Sequence, residues 1–276
     1  MNISDCKKQI TKQLLKISDS PQRDAELLIM HVTHKTRSQL LVNYDEALSV
    51  TAEKQLSEFV KRRQQSEPIA YILGHKPFWT MDLMVTHDTL IPRPETECLV
   101  EWILSSHKSS GDSLSVADLG TGSGAIAIAL ALEKPQWTID ATDESYEALA
   151  VAKKNIDQCN VKNISLYPGN WCDALPKKKY DCIVSNPPYI AKNDPHLKQL
   201  SFEPQSALIS GEKGLDAIAI ITEQAKSYLK NSGTLVVEHG YDQGEAVASI
   251  FKNAGFDEVK NHVDLSDQMR FVTGKI

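Results

Sequence analysis

The chain has 276 residues, a length that suits about one and a half domains. Its hydrophobic fraction of 41% and charged fraction of 24% are typical of a soluble globular protein. No stretch reaches the roughly 20 apolar residues of a membrane span, and the opening MNISDCKKQI lacks the apolar core of a signal peptide. We therefore expect a cytoplasmic protein without membrane association.

The net charge of −6 gives no sign of the basic face that nucleic-acid enzymes usually carry, although it does not exclude a local patch. The five cysteines are scattered and contain no CxxC pair. This usage predicts free thiols in a reducing compartment and no metal site.

The first quarter of the chain has a helical pattern. Between residues 4 and 66, apolar residues recur at three- and four-residue steps. Ser20 and Pro21 suit the start of a second helix, and a third is predicted to begin near Thr51. We therefore expect residues 1–72 to form a small helical bundle. A structural or oligomerisation element and a partner-docking module are about equally consistent with this pattern.

β-type residues cluster after the bundle, in PIAYILG and KPFWTMDLMVTH. We expect residues 73–92 to form a β-hairpin linker with its turn at residues 80–82. The following IPRPETECLVEWIL predicts a helix that begins near Pro94 and carries Glu97 in its first turn, where the helix dipole favours carboxylates. Arg93 lies between two prolines that fix its backbone, which favours a functional role over a plain surface charge.

The remainder of the chain alternates strand and helix patterns. Segments such as CIVS and LVVE are continuously apolar, as expected of strands that are covered on both faces. Such alternation predicts an open, mostly parallel sheet with right-handed crossovers. We therefore expect residues 93–276 to form one Rossmann-like α/β domain.

The segment DLGTGSGA follows an apolar strand and opens an alanine-rich helix. Gly120, Gly122 and Gly124 allow a sharp turn and a close approach of the backbone to a ligand. Because the string fits G-x-G-x-x-A through Ala125, a dinucleotide is one candidate ligand. The turn alone indicates a nucleotide or nucleoside without choosing among them.

One of two acidic residues near this turn favours S-adenosylmethionine over a dinucleotide. Asp118 lies just before the glycine turn, separated from Gly120 by Leu119, where its charge would repel a pyrophosphate but attract a cationic amino-acid moiety. Asp143 follows the next strand, where a carboxylate can accept both ribose hydroxyls. That role is shared with dinucleotide folds, and an N-cap of the following helix is the competing interpretation of Asp143.

The segment SNPPY ends the fourth predicted strand of the sheet, at the edge where open α/β sheets bind ligands. Pro187 and Pro188 remove two backbone donors and leave carbonyl acceptors in fixed directions. Asn186 Oδ1 and the Pro187 carbonyl are our candidates to orient a substrate NH₂ group for attack on a sulfonium methyl. The Tyr189 ring would face the developing cation. A rigid turn that merely ends a strand is the alternative for an isolated NPPY.

Seven segments together resemble the HemK/PrmC family of class I S-adenosylmethionine-dependent methyltransferases. They are SEPIAYILG, FW at residues 78 and 79, LIPRPETE, DLGTGSG, SNPPYI, EPQSALISGEKGLD and EHGYDQG. The resemblance spans nearly the whole chain and implies a seven-stranded, mostly parallel sheet. It also implies methyl transfer from S-adenosylmethionine, with S-adenosylhomocysteine as product, to a glutamine side-chain amide nitrogen. In this family the glutamine lies in the Gly-Gly-Gln motif of class 1 peptide chain release factors, and its methylation tunes translation termination.

The resemblance also implies roles for individual residues. Its pattern assigns to the methyl donor Gly120, Thr121, Gly122, Ser123, Gly124, Asp143, Trp171 and Asn186, to which we add Asp118. It assigns to the glutamine Asn186, Pro187, Pro188 and Tyr189, with Arg93 and Glu97 at the border of the pocket. We expect catalysis to involve Asn186, Pro187 and Tyr189. One departure from the family is DLSDQMR, which puts Asp267 at a usual glycine and leaves the local turn open.

Two related activities are alternatives. A glutamine methyltransferase that acts on a ribosomal protein shares NPPY, but its N-terminal region is not expected to match SEPIAYILG and IPRPETE. An N6-adenine nucleic-acid methyltransferase shares NPPY too, but it needs a basic and aromatic insert to hold a flipped base, and this chain has no spare segment of that size. We therefore expect a monomeric enzyme whose residues 1–72 dock a release factor, with no stable nucleic-acid partner.

Overall fold

Two units make up the chain in this computed structural model, which describes residues 1–107 and 113–276. The first unit is Met1–His75 and the second is Lys76–Ile276. Each unit has buried apolar clusters of its own. Among the helices of the described residues, none is long and apolar enough to cross a membrane.

The first unit is helical, as predicted. Within residues 1–75, all of which are described, the helices are α1 (Ile3–Leu14), α2 (Pro21–Thr33), α3 (Arg37–Val42), α4 (Val50–Gln64) and α5 (Ile69–Leu73). Capping side chains explain where several of them begin. Asn2 accepts a hydrogen bond from Asp5 N at 2.8 Å, and Thr36 and Ser49 cap α3 and α4 through their hydroxyls. Their apolar faces meet in one buried cluster around Leu28.

The segment PIAYILG is helical, so its interpretation as β-type sequence is wrong. Pro68 precedes α5, and Gly74 follows it with a φ of +78° and donates its N–H to Ala70 O. Proline before a helix and left-handed glycine after it are the usual boundary signals of a helix. The isoleucines and Tyr71 favour strand in isolation, but burial of Tyr71 and Ile72 in a helical turn overrides that preference.

The hairpin consists of strands β1 (His75–Phe78) and β2 (Met81–Met84). Its turn lies at Trp79 and Thr80, so the turn predicted at residues 80–82 is too late. Met81 is buried and therefore belongs to a strand, whereas Trp79 takes the turn with a φ of +55°. The Trp79 backbone N–H donates to Glu97 Oε1 at 2.8 Å, which holds this unusual conformation.

A seven-stranded sheet forms the centre of the second unit, as the family resemblance implies. Its strands are β3 (Ser115–Leu119), β4 (Thr138–Asp143), β5 (Ile164–Pro168), β6 (Tyr180–Ser185), β7 (Leu229–Glu238), β8 (Asp257–Val263) and β9 (Met269–Lys275). They are ordered β5-β4-β3-β6-β7-β9-β8. The first five are parallel, and β9 runs antiparallel to both β7 and β8.

Helices α6 (Glu97–Ser106), α7 (Ala125–Glu133), α8 (Tyr146–Gln158), α9 (Asp216–Tyr228) and α10 (Gly244–Asn253) belong to the same unit. Every residue of α7 from Ala125 to Ala131 is buried, which explains its unbroken apolar sequence. The inner strands are buried in the same way, as their continuous apolar runs predict.

The strand order reverses at β3, because the chain runs outward to β4 and β5 and then returns to β6 on the other side. The five parallel strands end at Leu119, Asp143, Pro168, Ser185 and Glu238, so the turns that follow them share one edge of the sheet. Ligands of open α/β sheets bind at such a switch point.

Candidate active site

The glycine turn follows β3. Gly120, Gly122 and Gly124 have φ values of +71°, +56° and +84°, a region that side chains with a Cβ rarely adopt. The N–H groups of Gly120 and Thr121 both donate to Thr142 O at 2.9 Å, which ties the turn to the end of β4. The turn therefore keeps its backbone open at the edge of the sheet.

Asp118 lies beneath this turn. Its Oδ2 accepts the Thr121 hydroxyl at 2.6 Å and the Ala127 N–H at 3.2 Å. Burial raises the pKa of Asp118 to about 6. Its Oδ1 is buried without a hydrogen-bond partner among the described residues. Asp118 thus stabilises the turn from below and has one acceptor to spare.

Asp143 connects the ends of two strands. Its Oδ2 accepts the Gly122 N–H at 2.8 Å, and its Oδ1 accepts the Ser145 N–H at 3.0 Å. Burial raises its pKa. The N-cap of α8 is Ser145, whose hydroxyl accepts the Ala148 N–H, so capping is not the task of Asp143.

Trp171 begins a short 3₁₀ helix, Trp171–Ala174, after β5. Its ring lies against the glycine turn, since a Cβ added to Gly120 would stand 3.0 Å from the ring atom Cζ3. The backbone of Trp171 has a φ of +45°. A backbone strained in this way while its ring lies against a glycine turn is often found at functional positions.

The NPPY segment leaves β6 next to this turn. Ser185 anchors it by donating its hydroxyl to Leu119 O at 2.7 Å. Asn186 Nδ2 donates to the Thr96 hydroxyl oxygen at 3.2 Å, whereas Asn186 Oδ1 is buried without a partner among the described residues. Tyr189 donates its hydroxyl to Glu238 Oε1 at 3.4 Å. An oriented amide with an unused acceptor results.

Two cavities share Asn186. Among its lining residues the first cavity has Gly120, Thr121, Gly122, Ser123, Asp143, Trp171, Asn186 and Pro188. A second cavity is lined in part by Arg93, Asn186, Pro187 and Tyr189. Most of the residues that the sequence assigns to a donor or to a glutamine therefore line one of these two cavities, and Pro188, assigned to the glutamine, lines the first.

Three predicted site residues line neither cavity. Asp118 lies under the turn, and Gly124 packs against α7 and α8, where an added Cβ would stand 3.0 Å from Ile128 Cδ1. Glu97 accepts the backbone N–H of Trp79 and so supports the hairpin. These three residues therefore contact neighbouring segments of the protein and do not face either cavity.

Arg93 lines the second cavity and pairs there with a buried carboxylate. Its Nη2 donates to Glu203 Oε1 at 2.5 Å, and Glu203 Oε2 accepts the Ile91 N–H at 3.0 Å. Glu203 is 4% exposed. The pair fixes the segment that carries Arg93 against the segment that follows NPPY.

Sequence reasoning assigned no role to Thr96, Glu203 or Glu238, although all three lie in segments that carry the family resemblance. Thr96 donates its hydroxyl to Glu238 Oε2 at 2.8 Å. Glu238 is a charged residue that directly follows the buried apolar run LVV at the carboxyl end of β7, and that position was the available signal.

Family models match both units. The PrmC N-terminal domain matches residues 5–74, and the methyltransferase small domain matches residues 95–202. The fold is similar to that of a methyltransferase from Pyrococcus furiosus, with a TM-score of 0.56 and 17% identity over 79% of this chain and 98% of that chain. The family match therefore assigns the second unit, whose fold is α/β, to the methyltransferase domains.

Two relatives are similar to almost the whole chain. The release factor glutamine methyltransferase of Coxiella burnetii is 49% identical over 275 residues, which cover 100% of this chain and 99% of that protein. The enzyme of the same name from Salmonella typhimurium is 41% identical over 263 residues, which cover 95% and 94%. The chain belongs to the family of release factor glutamine methyltransferases, which confirms the family inferred from the seven segments.

Proposed function

We propose that this chain methylates the side-chain amide nitrogen, N5, of the glutamine in the Gly-Gly-Gln motif of class 1 release factors. The donor is S-adenosylmethionine, and the enzyme acts as a monomer in the cytoplasm without a stable nucleic-acid partner. The observation that carries the proposal is Asn186 Oδ1, which is buried and has no partner within residues 1–107 and 113–276, in a residue that lines both cavities. A buried acceptor without a partner is costly, and an incoming amide N–H would satisfy it.

The first cavity is the cleft that fits the methyl donor. S-adenosylmethionine, when bound, supplies a methyl group on a positively charged sulfonium sulfur. The sulfur is a good leaving group because it becomes a neutral thioether. Asp143 lines the cleft with a carboxylate suited to two ribose hydroxyls, and Trp171 offers an aromatic wall. The spare Oδ1 of Asp118 gives the turn a negative charge below the cleft, which favours a cationic ligand over a pyrophosphate.

The second cavity would admit the glutamine side chain. Asn186 Oδ1 and the Pro187 carbonyl would each accept one N–H of the amide, which orients the nitrogen and favours its pyramidalisation. An amide nitrogen is a poor nucleophile because its lone pair is delocalised, so this orientation and the nearby electrostatics lower the barrier more than proton removal does. The proton would pass to water after the nitrogen has become positively charged.

Tyr189 would stay a neutral phenol at the second cavity. Burial and the neighbouring Glu238 both raise the pKa of its hydroxyl, so it does not act as a base near neutral pH. Its ring can instead face the positive charge that develops on the nitrogen.

Residues 1–72 would dock the release factor. Within this unit Leu41, Val42, Tyr44 and Val50 are exposed apolar side chains on or next to α3 and at the start of α4. Apolar side chains exposed close together on a small unit are a common feature of protein-binding surfaces. This surface would supply affinity for the substrate protein and leave the chemistry to the second unit.

The test is an assay with a labelled methyl donor. Purified release factors, their glutamine-to-alanine variants, ribosomes and DNA are offered in parallel. We expect label on the release factors alone and none on the alanine variants. Label on a ribosomal protein or on adenine, with unlabelled release factors, would replace the proposal by one of those activities.

A further inference from the structure

Thr96 joins Asn186 to a buried carboxylate. Its hydroxyl oxygen accepts a hydrogen bond from Asn186 Nδ2 at 3.2 Å and donates one to Glu238 Oε2 at 2.8 Å. Thr96 is 3% exposed and Glu238 is 1% exposed, so bulk water does not compete for these groups. The connected hydrogen bonds run from the wall of both cavities to the end of β7.

The direction of these hydrogen bonds follows from the number of protons available. A threonine hydroxyl has one proton, and an ionised carboxylate can only accept, so Thr96 donates its proton to Glu238. The Thr96 oxygen can then only accept a hydrogen bond on the side that faces Asn186, and only the NH₂ group of Asn186 can donate one. Asn186 Oδ1 must then point the other way, where it has no partner among the described residues.

We propose that Glu238, acting through Thr96, is a positioning residue that keeps Asn186 Oδ1 turned toward the acceptor amide. The inference rests on the proposed function, since it concerns the acceptor of that reaction. The two ends of an asparagine amide have nearly the same shape, so packing alone does not choose between them. A reversed Asn186 would present its NH₂ to the incoming NH₂, and the acceptor nitrogen would lose one of its two anchors.

The charge on Glu238 depends on groups from several elements. The pKa of Glu238 is raised to about 7, and burial is the largest cause. Three groups act against this rise, namely Thr96, Arg270 on β9 and Tyr189 after β6, whereas Glu95 in the 3₁₀ turn before α6 adds to it. Cys98 on α6 also lies within electrostatic range.

Burial raises the pKa of the Cys98 thiol, which therefore stays neutral near pH 7 and adds no charge beside Glu238. Protonation of Glu238 would remove the directional preference, because a protonated carboxyl can donate to Thr96 and free the hydroxyl proton for Asn186 Oδ1. The kcat of the enzyme should accordingly be highest when Glu238 is ionised and fall as the pH drops through about 7.

Two substitutions of Thr96 separate its hydroxyl from its shape. We expect Thr96→Val, which removes the hydroxyl, to lower kcat about 10- to 100-fold. The KM for release factor and the Kd for the donor should stay close to those of the wild type. Thr96→Ser should retain most of kcat. A valine variant with normal kcat, or a serine variant as impaired as the valine variant, would overturn the proposal.

Thr222→Val is the matched control. Thr222 is fully buried, and its hydroxyl donates to Ile218 O within α9 at 2.7 Å. The Thr222→Val variant loses a buried hydroxyl, as Thr96→Val does, but residue 222 lines neither cavity. We expect this variant to lower the unfolding temperature and leave kcat unchanged.

Glu238→Gln tests the role of the charge. Glutamine can either donate to or accept from Thr96, so it no longer imposes one direction. We expect a lower kcat that is independent of pH between about 6 and 8, where the wild type shows its acid limb. A variant that keeps the wild-type acid limb would show that another group titrates.

A measurement without turnover separates this inference from the proposed function. In protein labelled with ¹⁵N-asparagine, the Asn186 side-chain NH₂ signals are assigned by their absence in Asn186→Ser. We expect them to titrate with a midpoint near pH 7 in the wild type and not in Glu238→Gln, and to shift in Thr96→Val. Signals insensitive to both substitutions would overturn the positioning role even if release factors are methylated. If the signals respond to both substitutions but the protein methylates no release factor, the proposed function is rejected, whereas the positioning of Asn186 by Glu238 and Thr96 is supported.

Discussion

Trp171 closes over Gly120, with the ring atom Cζ3 only 3.0 Å from the place where a Cβ of residue 120 would stand. Gly120 also has a φ of +71°, so two independent constraints exclude a side chain there. Gly122 shares the positive φ, at +56°, but an added Cβ would meet nothing within 4 Å.

Gly120→Ala and Gly122→Ala should therefore differ. Both pay about 1–2 kcal/mol for a left-handed backbone, and only Gly120→Ala also displaces Trp171. We expect a larger loss of unfolding free energy and a larger increase in the Kd for S-adenosylhomocysteine in Gly120→Ala. Denaturant unfolding and calorimetry measure the two quantities. Equal effects would mean that the contact with Trp171 contributes nothing.

Asp143→Ala should weaken donor binding about 10- to 100-fold, since hydrogen bonds to a charged group contribute about 1.5–3 kcal/mol. The ribose role is isolated by a donor analogue that lacks the 2′ and 3′ hydroxyls. That analogue should bind weakly to the wild type and lose little more affinity in Asp143→Ala. Full additivity of the two changes would assign Asp143 to the glycine turn alone, through its bond to Gly122 N.

Asn186→Ala should lower kcat on release factor about 100-fold or more, because one of two oriented acceptors is removed. The Kd for the donor should change much less. Single-turnover rates and calorimetry report these separately. Near-normal turnover at saturating release factor would contradict the acceptor role.

Asp118→Asn should change the dependence of stability on pH. The pKa of Asp118 is about 6 in the folded protein against 3.8 for a free carboxyl, because burial disfavours the charge. The raised pKa stabilises the folded state below pH 3.8, and this contribution is lost as the pH rises through about 6. Asparagine can keep an acceptor toward Thr121 and Ala127 without the charge.

We therefore expect Asp118→Asn to be more stable than the wild type at pH 8, by up to about 2–3 kcal/mol, and to gain little at pH 4. The same variant should bind S-adenosylmethionine more weakly, because the spare charge below the cleft is gone. Thermal unfolding at the two pH values and donor titrations test both halves. Unchanged donor affinity would leave Asp118 with a purely structural role.

Replacing Leu41 and Val42 together by serine should raise the KM for release factor and leave kcat unchanged. These side chains are 66% and 78% exposed, so their loss should not disturb the core. Leu15→Ser is the control, since Leu15 is 61% exposed at the end of α1 in the same unit. An unchanged KM in the double variant would remove residues 41 and 42 from the docking surface.

The open, mostly parallel sheet and the position of the glycine turn follow from sequence patterns alone. Continuous apolar strands alternating with helices allow few arrangements, and DLGTGSG and NPPY each mark the end of a strand. The hairpin turn and α5 were less accessible, because short apolar runs such as PIAYILG fit strand and helix equally well, and burial decides between them.

The hydrogen bond between Thr96 and Glu238 could not be predicted from the sequence for a different reason. The two residues are 142 positions apart along the chain, and their hydrogen bond exists only because β7 ends beside the turn before α6. Periodicity and propensity describe neighbours in sequence, so they contain no signal for such a pair. A charged residue at the end of an apolar strand marks a candidate, but it does not name its partner.

Asp267 stands where the family pattern has a glycine, yet the local turn is present. Asp267 has a φ of +59° and donates its N–H to Asp264 O at 3.0 Å. Aspartate tolerates the left-handed region better than most side chains, which explains how the turn forms without glycine.

The outer strands of the seven-stranded sheet, β5 and β8, bear on the solubility of the folded protein. β8 carries Asp257, Glu258 and Lys260 and shifts register twice against β9, whereas β5 ends in Pro168. Charges, irregular pairing and proline all discourage a further strand from adding to a sheet. The unpaired margins therefore protect against edge-to-edge aggregation, and a variant with apolar residues at positions 257, 258 and 260 should precipitate at concentrations that the native sequence tolerates.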